Sequence, residues 1–334
     1  AVIKELQYDM RVERMMPPHD LRPAFSRVRA RMEEIRQGMA HGGRSSQGPG
    51  HFALGWGHLL LRSPQEALGA FKAAWDQGYR TSEVATALVR ASCEAYSDEL
   101  PMARQEGEAA LAQLAKTYLA PAQAWLTAIG PDRPEEKALA EGHLELLRRN
   151  PGRALALAAQ IITHSPSTYE AWVLEGSAHG QRGFAHQLKG DYAAARSHYT
   201  LADQALHHAQ SMARSDEGAL KAELNRRLAW LAVQEDAGER SDQTYAEIDA
   251  LADRLLLLNP DWLPAIADKL TVLWRRGDFE LRKGKDPSST LGQGMAILAR
   301  AEKLPGAGLR LHRDRANLQR VMAEVRFWKG DDPT

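Results

Sequence analysis

Apolar residues along this chain recur at intervals of three and four rather than at every second position. Alanine and leucine dominate, and alternating β-branched runs are absent. Each such segment predicts an amphipathic helix, and no strand is expected. The clearest stretch runs from His51 to Tyr79, HFALGWGHLLLRSPQEALGAFKAAWDQGY. Gly55 is followed by Ala67 twelve residues on, by Phe71 four further and by Ala74 three further. Small side chains at those places let two helices approach, and the aromatic fills the wedge between them. Ser63-Pro64 divides the pair, with serine as N-cap and proline at the first helical position.

That spacing belongs to the tetratricopeptide repeat, a helix–turn–helix unit of about 34 residues that buries its apolar face only by stacking on neighbours. A second, looser unit keeps the spacing at Ala91, Ala103, Gly107 and Ala110, with Asp98 to Pro101 as its turn. Tyr118 to Ile129 follows as an extra short helix ending at Gly130-Pro131. A third returns to register with Gly142, Ala154, Ala158, Ile161 and Pro166, and Gly176 lies 34 residues after Gly142. In the fourth, Tyr169, Trp172 and Gly176 precede the turn Gly190-Asp191-Tyr192, and Ala195, Tyr199 and Ala202 come seven residues late. Seven residues is close to two helical turns, so both helices of this hairpin should be lengthened. A fifth hairpin covers 217–237 and 242–258, closing at Asn259-Pro260. A sixth covers 262–283 and 287–304, followed by a break at Pro305, Gly306 and Gly308. Leu309 to Trp328 reads as a terminal helix whose arginine-rich face suits a cap that meets water.

Ahead of the repeats, Ala1 to Met16 mixes charge with Ile3, Leu6, Tyr8, Met10, Met15 and Met16. It predicts a short helix that Pro17-Pro18 must stop. A helix over 24–39 comes next, and 41–50 (HGGRSSQGPG) reads as a loop from its glycine and serine content. The expected organisation is therefore a lead segment, 1–47, and an all-α, TPR-like solenoid of about six hairpins, 48–334. In stacked hairpins the first helices line a concave groove. The register assigns Phe52, Trp56, Leu59 and Leu60 to that groove in the first unit, Leu139, His143 and Leu146 in the third, and Val173, Ser177 and Gln181 in the fourth. Arg226, Arg227 and Trp230 are assigned to it in the fifth. Packing between hairpins accounts for most of Trp75, Trp125, Trp172, Trp230 and Trp274. An apolar floor with a few polar hooks suits an extended peptide or a partner's helix.

Charge and chemistry narrow the picture. Lysine plus arginine and aspartate plus glutamate both number 43, a balance that argues against nucleic acid as partner. A single cysteine, Cys93, excludes an internal disulfide and a cysteine-rich metal site. No stretch reaches the roughly 18 apolar residues that span a bilayer. The chain begins at Ala1 without an initiator methionine, as expected of a piece of a larger protein.

Four segments carry a family resemblance: Met15-Met16-Pro17-Pro18-His19-Asp20-Leu21-Arg22-Pro23, Gly48-Pro49-Gly50-His51-Phe52-Ala53-Leu54-Gly55, Ala73-Ala74-Trp75-Asp76-Gln77-Gly78-Tyr79 and Tyr118-Leu119-Ala120-Pro121-Ala122. Together they resemble the C-terminal region of bacterial membrane-bound serine/threonine protein kinases that end in tetratricopeptide repeats, with Met-Pro-Pro where that family has Leu-Pro-Leu. The resemblance implies a kinase domain and a transmembrane helix upstream, and a repeat region acting as an extracytoplasmic sensor. It implies a protein or peptide ligand, or a second copy, as partner, and attachment to the membrane through a segment not in this chain. A freestanding adaptor that scaffolds a complex, and a cytoplasmic location, are the alternatives.

The chain is not expected to carry the catalytic part. His312-Arg313-Asp314 is followed by asparagine at the third residue instead of the fifth, and Asp278-Phe279-Glu280 has glutamate where glycine is needed. Gly292-Gln293-Gly294 has no third glycine and no preceding strand. His207, His208 and Asp203 share a helix, and His41, His51 and His58 lie near one another. Yet no pair of histidines four apart with a glutamate nearby occurs, and no Gly-x-Ser-x-Gly elbow is present. Neither metal nor cofactor is expected.

Overall fold

The computed structural model describes residues 2–239 and 242–330. Among them every regular element is an α-helix, as the periodicity requires. They form two compact units, Ala1–Pro17 with Leu21–Ala219, and Pro18–Asp20 with Leu220–Thr334.

The first unit contains α1 (Val2–Met15), α2 (Arg22–His41), α3 (Arg44–Leu60), α4 (Pro64–Asp76), α5 (Ser82–Glu106) and α6 (Glu108–Thr127). It continues with α7 (Pro134–Leu147), α8 (Pro151–His164), α9 (Tyr169–Gln187) and α10 (Tyr192–Met212). From α2 onward each helix packs against the next. In addition α3 touches α5, α5 touches α7, and α7 touches α9, so the first helices of successive hairpins form one layer. That is a repeat-like arrangement built on local contacts.

Glycines make the close approaches that the spacing predicted. A Cβ on Gly55 would lie 2.5 Å from the Phe71 ring, on Gly142 2.4 Å from Leu174, and on Gly176 2.6 Å from Leu206. The long fourth hairpin is as expected: α9 and α10 have 19 and 21 residues, and Asp191 caps α10 by accepting from the Ala194 amide at 3.1 Å. Ser63 stands at the N-cap of α4 but makes no side-chain capping bond.

Two expectations fail, for related reasons. The segment 41–50 is not a loop. The chain breaks only at Gly42-Gly43, and α3 starts at Arg44 and carries Pro49 inside it. Its glycines serve packing: a Cβ on Gly48 would meet Tyr79 at 2.7 Å, and on Gly50 would meet Met39 at 2.3 Å. Asp98 to Pro101 is no turn either, because α5 runs through Pro101 to Glu106. Its carboxylates are used by side chains, with Tyr118 Oη donating to Glu99 at 2.6 Å. The turn falls at Gly107, whose φ of +103° lies where residues with a Cβ rarely go. The extra short helix is thereby absorbed into α6, which spans 20 residues through Pro121.

The second unit holds α11 (Glu217–Asp236, whose first three residues belong to the first unit), α12 (Asp242–Leu258), α13 (Leu263–Arg282), α14 (Ser288–Ala301) and α15 (Ala307–Lys329). Helix α13 packs against α12, α14 and α15, and Ile266, Leu270, Leu291, Leu298, Leu311 and Leu318 are buried together. Both kinase-like strings fall on these helices. Asp314 is 1 % exposed and accepts from Thr271 Oγ1 at 2.9 Å and Trp274 Nε1 at 3.3 Å, while Asp278 pairs with Arg282 of its own helix at 2.9 Å and with Arg320 of α15 at 3.6 Å. These carboxylates tie helices together.

Candidate interaction site

The inner layer of the first unit is already engaged by one of its own helices. Helix α1 has Ile3, Leu6, Met10 and Arg14 at intervals of three and four, which puts them on one face. Leu6, Met10 and Arg14 are buried, and Ile3 packs against the core that contains Phe52, Phe71 and Leu88. Burial of this stripe and ion pairs along the helix together dock it. Glu13 and Glu5 pair with Arg27 and Arg31 of α2.

At the other end, the segment 215–217 receives it. The Ser215 amide donates to the Arg14 carbonyl at 2.8 Å, and the Ser215 hydroxyl to the Met16 carbonyl at 2.9 Å. The Arg14 guanidinium lies 3.4 Å from Asp216 and 3.5 Å from Glu217, and Arg62 Nε donates to Glu217 at 3.1 Å. Tyr169 Oη donates to Asp216 at 3.0 Å. About 20 Å of helix thus runs from α2 to the start of α11, within the first unit.

Charge in this interior is balanced by neighbours. Burial pushes the Asp216 carboxyl up, but Arg14 and Arg62 more than offset it and hold it below the usual range. Burial also opposes ionisation of Glu94, and Arg90 and Arg62 overcome it in the same sense. The Tyr169 phenol is raised well above its ordinary value by burial and by Asp216. For His143 the balance goes the other way: burial, then the Arg90 guanidinium, lower it to about 4, and nearby Glu94 only partly opposes them. Cys93 is buried and its thiol is pushed up to about 12, so it is an inert packing residue.

His143 carries a pH signature. A base whose folded pKa lies near 4 but whose unfolded value is 6.5 binds its proton more readily when unfolded. Stability is therefore full above pH 6.5 and falls as pH drops toward 4. Between pH 7 and pH 5 the loss from this group is about 2 kcal/mol. His58, His179 and His198 are lowered too and add to the slope. Urea denaturation at the two pH values should show a smaller loss for His143→Gln than for the parent, and equal losses would refute the assignment.

The groove residues expected from the register divide by exposure. Phe52, Leu59, Leu60 and Leu146 are buried, at 5 %, 2 %, 5 % and 6 %. Phe52 turns toward Phe71 and Tyr79, with ring centroids 5.8 and 5.7 Å away, so these four serve the core and present no free surface. Trp56, Leu139, His143, Val173, Ser177 and Gln181 are half-buried. Trp56 stands edge-on to Phe71 with the Arg90 guanidinium 5.7 Å above its ring, and Gln181 Nε2 donates to the Leu146 carbonyl at 2.9 Å. Arg226, Arg227 and Trp230 lie on α11 in the second unit, where Arg226 is buried and Arg227 pairs with Glu223 and Glu247. The register alone did not reveal that α1 is a ligand of its own chain. Its apolar stripe was readable, but the acceptors at 215–217 lie some 200 residues away.

Among the described residues no three or more histidine, cysteine, aspartate or glutamate side chains have metal-binding geometry. Of the expected histidines, His208 packs on the Trp172 ring at 4.2 Å. No helix of the described chain is long and apolar enough to cross a membrane. No protein-family model matches the chain, and no characterised protein matches it at a significant level.

Proposed function

We propose that this chain is the tetratricopeptide-like, non-catalytic sensor region of a bacterial membrane serine/threonine kinase, which binds a protein or peptide on the inner layer of its first unit. The observation that carries the reading is α1: an amphipathic helix lying on that layer supports a surface suited to a helix. A partner helix with a similar stripe, apolar at three- and four-residue intervals and ending in a cation, competes for the same place. Exchange of α1 for a partner gives two arrangements, and a ligand that favours one shifts the balance between them. The Pro17-Pro18 break lets α1 move as a unit without bending α2. The extracytoplasmic side is the preferred location, since a sensor must meet its signal.

Two measurements test this. The coding sequence upstream of Ala1 should specify a kinase domain and a membrane span; a start codon directly before it would instead leave a freestanding adaptor. A peptide of residues 2–16, fluorescently labelled, should bind the chain in a way that Trp56→Glu weakens about tenfold or more, the range expected for an aromatic anchor. Equal binding by parent and variant, both confirmed folded by circular dichroism, would rule out the inner layer as the surface.

A further inference from the structure

The exposed side of α1 faces a feature that the repeat pattern did not foretell. A cleft of about 470 Å³ lies between α1, the start of α9 and the end of α10. Its walls are Arg11 and Met15 of α1, Ser167 and Tyr169, and Ser211, Met212 and Arg214. All belong to the first unit.

Arg14, Arg27, Arg31, Arg62, Arg90 and Arg133 each lie within 4 Å of a carboxylate. Arg11 and Arg214 have no such partner among the described residues, and Arg11 sits instead with its guanidinium carbon 5.8 Å above the Tyr169 ring. The acid two residues after Arg214 is already engaged. Asp216 already accepts from Tyr169 and the Ala219 amide and faces Arg14. Two guanidinium groups that line one cleft favour an anion between them, and planar forks suit carboxylate and phosphate oxygens. The Ser167 hydroxyl makes no hydrogen bond within the described protein and adds a neutral donor. Beside the charges, Met15 is 53 % exposed and Met212 half-buried, a flexible apolar surface that moulds to a ligand's body.

We propose that this cleft binds a small organic anion, with a carboxylate or phosphate head held by Arg11 and Arg214 and an apolar body lying on Met15, Met212 and the Tyr169 ring. The volume is in the range of small-molecule sites. Because Arg11 and Met15 belong to α1 and the other walls to α9, α10 and the residues flanking them, the bound anion ties α1 to the unit. It therefore favours the docked arrangement over the released one. The binding itself holds whether or not the chain is part of a kinase.

The probe is 1-anilinonaphthalene-8-sulfonate, an anion with an aromatic body, titrated into the intact chain at low ionic strength and followed by fluorescence. One saturable site per chain is expected. Arg11→Gln and Arg214→Gln should each weaken it about tenfold or more, as loss of a charge-assisted contact does, and the double variant should abolish it. Arg254→Gln, an exposed arginine of the second unit, is the charge control and should bind as the parent does. Both lining arginines are exposed, so unchanged thermal melts verify the fold. Displacement by decanoate alone assigns a carboxylate head, by decyl phosphate alone a phosphate head, and by both the shared anion chemistry; decanol should displace nothing. Failure of both anions to displace the probe, displacement by decanol as readily as by decanoate, or equal binding in the double variant would overturn the proposal and leave only an apolar patch.

Discussion

Glu217→Ala should lower stability by about 3–5 kcal/mol and release α1, the cost of removing one partner from a buried ion pair. The Glu217 side chain is 0 % exposed and serves two arginines, Arg14 at 3.5 Å and Arg62 at 3.1 Å, which are 8 % and 14 % exposed. Without it, Arg62 loses the carboxylate it donates to and Arg14 is left with Asp216. Both cations then remain in a place where water reaches them poorly. An exposed pair such as Arg36–Glu33, 47 % and 59 % accessible, should cost under about 1 kcal/mol when broken, because solvent replaces the lost partner. Urea unfolding measures the first effect. Limited trypsin digestion measures the second, since Arg11 and Arg14 become cleavable once α1 leaves its seat. Glu217→Gln separates charge from shape: it keeps the volume and an acceptor oxygen, so it should fall between parent and alanine. If Glu217→Ala behaves like the exposed pair, α1 is held by its apolar stripe alone.

What the sequence disclosed and what it hid follow from the range of the forces involved. Helix pairing was legible because it depends on residues a few turns apart: Gly55 and Phe71, or Gly176 and Leu206, announce a contact by their spacing. Local composition misled where one residue type serves two purposes. Gly48 and Gly50 looked like loop residues, yet each is small because Tyr79 or Met39 presses on it. Pro101 looked like a turn, but α5 tolerates it inside its last turns, and the left-handed position was Gly107. The site was less legible still. Nothing adjacent to Arg14 in sequence distinguishes it from the exposed Arg11, three residues earlier on the same helix. Only the distant acids Asp216 and Glu217 decide that one is buried and paired while the other faces a cleft. The groove register had a similar blind spot: Phe52 and Trp56 are one turn apart, but the first is drawn into the core by Phe71 and Tyr79 and the second keeps an open face.

The nesting of helices through small residues has its own decisive measurement at Gly55 and Phe71. Phe71 is 0 % exposed, and its ring lies 5.8 Å from Phe52 and 5.9 Å from Trp56. Phe71→Ala removes a whole buried ring and should cost about 3–5 kcal/mol, at the upper end if the helices stay apart and leave a cavity. Gly55→Leu forces a side chain onto that ring, where even a Cβ would stand 2.5 Å away, and should cost about 1–3 kcal/mol for overpacking. Better helix propensity returns up to about 1 kcal/mol of this. Combined, the leucine has the vacated space to enter, so the double variant should be less destabilised than the sum of the single ones by at least about 1 kcal/mol. Coupling of that sign is expected only if the glycine is small because the aromatic fills its place. Additivity within about 0.5 kcal/mol would mean that α3 and α4 are held by other contacts, and would remove the physical basis for reading Gly55–Ala67–Phe71–Ala74 as a repeat signature.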